Sequence, residues 1–160
     1  MSEKEGNYLF PSPQMAFKLV VPSARCRTIH MPKTASVAIA DGAVVYTTSG
    51  AVSALSASSD ERIAGVAQRT VAATDSDYAT AGATIPVLID EDGIWEADPS
   101  STTNTIANGT YLDFNNSTTV HVSNSTYDQF KVSNPSGASN LTKVRGTLTR
   151  WEGNETPAEN

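Results

Sequence analysis

The chain has 160 residues, with 11 basic and 17 acidic side chains, a net charge of −6, and 39% hydrophobic and 7% aromatic residues. That length suits one domain, or one small domain with an appendage, and the thin apolar content predicts a modest core helped by an arm or by partner subunits. No stretch approaches the roughly 18 apolar residues of a membrane span, and the opening Met-Ser-Glu-Lys-Glu-Gly-Asn lacks the apolar run of a secretion signal, so the expected site of folding is a cytosol.

Residues 1–14 hold Gly6, Pro11 and Pro13 without periodicity and read as an extended arm. Tyr8, Leu9 and Phe10 within it are expected to dock, because each is worth roughly 1.5–3 kcal/mol when buried. Phe17 to Val21 is a predicted strand, Pro22-Ser23 a turn, and Arg25 to His30 a second strand that Pro32 limits. Val37 to Ile39 leads into Asp41-Gly42, a hairpin-type dipeptide. Ala43 to Thr47 and Ala51 to Leu55 are strands around Ser49-Gly50.

Ile63 to Ala73 is an apolar run in which Gly65 signals a bulge or a close backbone approach. Thr74 to Tyr78 opens like an Asx or N-cap turn, with room for one helical turn ended by Gly82. The clearest punctuation follows. Ile85, Val87 and Ile89 alternate with Pro86, Leu88 and Asp90, then Asp92-Gly93 precedes Ile94 to Asp98. Alternation broken by Asp-Gly predicts a β-hairpin with a type I′ turn. Residues 99–109 read as a linker. Strands are expected at Thr110–Phe114, Thr119–Val122, Gln129–Val132 and Lys143–Trp151, before a fraying tail over 152–160.

The reading is therefore an all-β chain, a small β-barrel or sandwich of roughly ten short strands with an extended N-terminal arm. Its expected parts are an arm over 1–33, a first β-rich module over 34–98, a linker over 99–109, a second group of strands over 110–151 packed on the first, and the tail.

Charge is uneven. Residues 1–33 carry five basic side chains (Lys4, Lys18, Arg25, Arg27, Lys33) against Glu3 and Glu5, a net +3, which leaves six basic and fifteen acidic residues, −9, for 34–160. The acidic body disfavours nucleic acid. A basic, apolar N-terminal segment suits an acidic neighbour, or its own body equally well.

Reaction chemistry has little to stand on. The single Cys26 excludes an internal disulfide framework and a Cys-based zinc site. Arg25 and Arg27 would favour its thiolate, against the plainer reading of a small buried residue. Asp90, Glu91, Asp92, Glu96 and Asp98 cluster at one predicted turn, but the spacing of a calcium loop is missing, and a solvated acidic tip is the simpler reading. His30 and His121 are the only histidines, and no Gly-x-Ser-x-Gly elbow or Gly-rich phosphate loop occurs. Asn-x-Ser/Thr matches at Asn108, Asn115, Asn116, Asn124, Asn140 and Asn154 read as chance in an Asn/Ser/Thr-rich chain. Catalytic, cofactor and metal residues are accordingly expected to be absent.

Two blocks carry a family likeness: Asp41-Gly42-Ala43-Val44-Val45 with Ser49-Gly50-Ala51-Val52, and Ile63-Ala64-Gly65-Val66-Ala67. With the strands from Ile85 to Asp98 and Val144 to Leu148, they resemble the small all-β head-decoration, or cement, proteins of tailed bacteriophages. The resemblance spans about residues 35–150. It implies no enzyme activity, and a homotrimer on the outer capsid surface that bridges neighbouring major capsid subunits, assembled in the host cytoplasm, without direct contact to nucleic acid or membrane. Charge and apolar content, not the family motifs, select the capsid-contact residues: Tyr8, Leu9, Phe10, Phe17, Lys18, Arg25, Arg27 and Lys33. Two other classes compete. One is a carbohydrate- or host-surface-binding module using Trp95, Trp151, Tyr111 and Tyr127 as stacking platforms. The other is a small β-fold hydrolase using buried carboxylates.

Overall fold

Short runs of β-branched and aromatic residues, interrupted by Pro, Gly, Asn and Asp, become strands throughout. The computed structural model describes residues 17–56, 61–101, 106–123, 125–133 and 142–152, and among them there is no helix. The strands are β1 (Phe17–Val21), β2 (Arg27–Pro32), β3 (Val44–Thr48), β4 (Ala51–Ala54), β5 (Gly65–Ala67) and β6 (Thr84–Ile89). They continue with β7 (Ile94–Pro99), β8 (Tyr111–Leu112), β9 (Phe114–Asn116), β10 (Thr119–Val120), β11 (Phe130–Val132) and β12 (Val144–Leu148). The expected all-β class is what the chain adopts.

Five strands form one sheet in the order β2-β6-β5-β3-β4. Its two outer strands meet at one end, where Lys33 bridges Val52 and the Thr34 N–H donates to the Val52 carbonyl at 2.9 Å, so the sheet is a nearly closed barrel. The β3–β4 connection is a true hairpin. Ser49 and Gly50 both take positive φ, 50° and 82°, as a type I′ turn requires. Gly65 on β5 marks a close approach: a Cβ there would stand 2.3 Å from the Val87 side chain.

Seven strands form the second sheet, and β7 is its hub. On one side β1 runs antiparallel to it, with Phe17 opposite Ala97, Lys18 opposite Glu96 and Leu19 opposite Trp95. On the other, β12 sets Arg145 opposite the same Glu96. β10 then runs parallel to the end of β7. Trp95 is fully buried, as are Phe114 and Phe130, and Phe17 meets these two rings edge-on at centroid distances of 5.3 and 6.2 Å.

Three expectations are corrected. The Ile85–Asp98 hairpin does not form: β6 pairs with β2 and β5, whereas β7 pairs with β1, β10 and β12. Residues 90–93 are a corner between sheets, and Gly93 lacks the positive φ of a type I′ turn. Glycine is needed there for space, since a Cβ would lie 2.5 Å from the Asp90 carboxylate and 2.6 Å from Leu19 Cδ1. Second, the arm does not reach residue 33. Residues 17–33 are two strands of the body, because Phe17 and Leu19 have apolar partners on β7. Third, the modules split at residue 98 share one sheet, since β7 is the strand on which β12 and β10 assemble. Residues 74–81 form successive turns, without a helical one.

Candidate functional site

The basic segment becomes a corner. β1 belongs to one sheet and β2 to the other, and the chain between them turns at Pro22–Cys26. Directly beneath lies the second corner, Asp90–Gly93. Asp90 has no exposure and joins the two: its carboxylate accepts the Ser23 N–H at 2.7 Å, and the Ser23 hydroxyl donates to its other oxygen. Its backbone carbonyl accepts the Trp95 indole N–H at 3.2 Å. Both oxygens of this buried carboxylate thus have a hydrogen-bond donor, as a buried polar group requires.

On this support sit Arg25 and Arg27. Their side chains are 68% and 54% exposed, and the nearest carboxylate oxygens belong to Asp92 at 3.7 Å and Glu91 at 3.9 Å. Those distances exceed a hydrogen bond, so the contacts are weak and the guanidinium N–H groups stay available. Arg25, Glu91 and Asp92 also line a shallow groove of about 360 Å³ with Thr147, Thr149 and Trp151. Cys26 lies between the arginines, yet its thiol pKa is raised, first by burial and then by the Asp90 charge. The local charge that matters is the carboxylate beneath, not the guanidiniums, which point to solvent. The reactive thiolate, the less favoured of the two readings of Cys26, is opposed by this environment.

The capsid-contact candidates separate. Lys18 is exposed near the start of β1, beside Asp41 and Gln68, whereas Arg25 and Arg27 sit at the Pro22–Cys26 corner beyond its other end. Phe17 is 2% exposed and Lys33 is 1% exposed, so neither presents a surface. Phe17 closes the aromatic cluster. Lys33 donates from Nζ to the Tyr78 carbonyl at 2.8 Å, and Tyr78 donates from its hydroxyl to the Ser36 carbonyl at 2.8 Å, which ties residues 74–82 to the barrel. Both were chosen for charge or size, and both are corrected to interior roles. Tyr8, Leu9 and Phe10 lie outside the described residues.

The other candidate chemistry is also placed. Trp95 and Trp151 are core residues whose indole N–H groups are bonded inside, to the Asp90 and Leu148 carbonyls, so neither offers a stacking face. Tyr111 remains exposed, with Lys131 Nζ 5.5 Å above its ring. Of the acidic tip, Glu96 meets Arg145 at 3.0 Å and Asp98 meets Lys143. Asp113, fully buried between β8 and β9, accepts three backbone N–H groups, from Thr126, Tyr127 and Asp128, at 2.8–2.9 Å. It organises the 125–128 turn. Sequence reasoning passed over both Asp90 and Asp113 as structural posts. The one available signal was that each directly follows an apolar strand residue, Ile89 or Leu112.

A second groove of about 530 Å³ runs between residues 32–35, Thr48–Ala51 and Ala81–Gly82, and no acid lines it. No protein-family model matches the chain, and no curated protein matches it in sequence.

Proposed function

We propose that this chain is a virion structural protein of the head-decoration type, which binds the outer surface of a tailed-phage capsid and cements neighbouring major capsid subunits. The observation that carries the reading is the corner itself. Arg25 and Arg27 project from this corner of an acidic body, Lys18 adds a further exposed cation on β1, and among the described residues the outer edge of β2 has no ladder partner up to Pro32. Cations on a rigid support suit an acidic protein surface, and many copies linking subunits stabilise a shell by mass action without strong single contacts. The motif resemblance from residue 35 to 150 supports the same assignment. In this reading the protein acts as a homotrimer, without catalytic, cofactor or nucleic-acid role.

The test is co-sedimentation with DNA-free capsid shells of a tailed phage, beside light scattering of the free protein. Full-length protein binds the shells. A chain with Lys18, Arg25 and Arg27 changed to Glu binds weakly, and deletion of residues 1–16 measures what Tyr8, Leu9 and Phe10 add. If neither change alters binding, the contact assignment is wrong. If the unmodified protein binds no shell, the function is wrong.

A further inference from the structure

Among the described residues, strand β2 has one satisfied edge and one open edge. Pro86, opposite His30, has no N–H, and its carbonyl accepts the Gln68 N–H at 2.9 Å, on the β5 side. His30 therefore gives nothing to β6. In an antiparallel ladder the residues that exchange bonds alternate with those that do not. Arg27, Ile29 and Met31 thus bond to β6, and Thr28 and His30 turn their N–H and carbonyl groups outward. The barrel closes only beyond them, at Lys33 and Val52. Pro32 removes the next outward donor, so the open edge is two residues long in its donors. Every residue of β2 is exposed or half-exposed, and Ile29, at 37%, leaves apolar surface beside the edge.

An unpaired edge of this kind is a template for an added strand. Its occupant is set by charge. From Phe17 to Lys33 there is no acidic side chain, and Arg25 and Arg27, at the N-terminal end of the edge, have carboxylates no nearer than 3.7 Å. Guanidinium groups without hydrogen bonds are suited to bidentate carboxylates.

We propose that the open edge of β2 binds an extended acidic segment of a partner protein by strand addition. The partner backbone pairs with Thr28 and His30, a carboxylate meets Arg27 or Arg25, and an apolar side chain two residues away covers Ile29. The two-residue spacing follows from Arg27 and Ile29 lying on the same face of the strand. The inference rests on the capsid reading only in taking this corner as a partner-binding face, and it names what the face recognises.

The experiment uses the full chain, isotope-labelled, and a short synthetic peptide with a glutamate and a valine two residues apart among threonines. A lysine-for-glutamate peptide is the control. The acidic peptide shifts the Thr28 and His30 amide signals and slows their hydrogen exchange, and the basic peptide binds at least about tenfold more weakly. His30→Pro, which removes an outward donor but no bond to β6, abolishes the effect while the remaining spectrum is kept. Thr28→Pro serves if His30→Pro lowers the melting temperature. Arg27→Glu reverses the peptide preference.

Equal binding of both peptides, shifts that map away from β2, or unchanged binding by both proline variants would overturn the proposal. Shifts at Thr28 and His30 that grow with protein concentration alone would also overturn it, because the occupant would then be a second copy. Peptide binding without shell binding leaves the edge standing and removes the capsid; shell binding unaffected by either proline does the reverse.

Discussion

The Asp90 carboxylate and the Ser23 backbone N–H stand 2.7 Å apart across 67 residues of sequence, and this contact locks the basic corner to the turn that carries Glu91 and Asp92. Both corners cross between the two sheets, so the bond also joins the sheets at that end.

Removing the carboxylate should loosen that end first. Asp90→Ala leaves the Ser23 N–H unpaired and should destabilise the fold by about 3 kcal/mol, the range for a lost buried, charged hydrogen-bond partner. Asp90→Asn, which keeps an acceptor, should lose less. Urea unfolding midpoints compare them, and hydrogen exchange at Ser23 reports the local opening.

Glycine substitutions separate steric from conformational need. Gly65→Ala drives a methyl to 2.3 Å from Val87 and 2.9 Å from the Leu88 carbonyl, and Gly93→Ala drives one onto the Asp90 carboxylate. Each should lose about 2–3 kcal/mol through overpacking. Gly50→Ala meets nothing within 4 Å but must hold a φ of 82°, and about 1 kcal/mol is expected. The order of the three melting temperatures checks this.

The 74–82 segment should loosen in acid. Arg69 donates to Asp77 at 2.6 Å, and this bond, offset in part by desolvation, holds the Asp77 carboxyl below its ordinary range. A carboxyl depressed in the folded state adds stability above its unfolded pKa, and that stability is lost as pH falls through the lower folded value. Asp77→Asn should therefore weaken the protein at neutral pH and flatten the acid limb of its stability curve. Urea midpoints measured from neutral to acid pH decide it. An unchanged acid limb would place the titration elsewhere.

Cys26 should be a slow nucleophile. Burial and the Asp90 charge raise its pKa, so less thiolate is present at neutral pH than for a free cysteine. Alkylation by iodoacetamide, followed by mass spectrometry, should lag a cysteine peptide and catch up only at alkaline pH. Asp90→Asn should shorten the lag. A rate above the peptide's at neutral pH would restore the reading in which the arginines activate the thiol.

The sequence by itself determined the class of the fold, most strand positions and the place of one hairpin turn. Alternation in Ala51–Ala54 and Thr84–Ile89, and Ser49-Gly50 as a turn between two strands, are local signals that no distant contact overrides. Gly65 was likewise legible as a close approach. Partnership was not legible. Asp92-Gly93 looks like a hairpin turn, but whether two adjacent strands pair depends on which other strands offer them a buried face, and β1 and β12 compete for β7. The same holds for the site. Phe17 and Lys33 share composition with the exposed Lys18 and Arg27, and only the tertiary structure decided which of them face solvent. Burial is a property of what packs opposite a residue: Phe114 and Phe130 for Phe17, the Tyr78 carbonyl for Lys33. The open edge of β2 also waited for the fold, because Pro86 silences one side of His30 only once those two strands are paired.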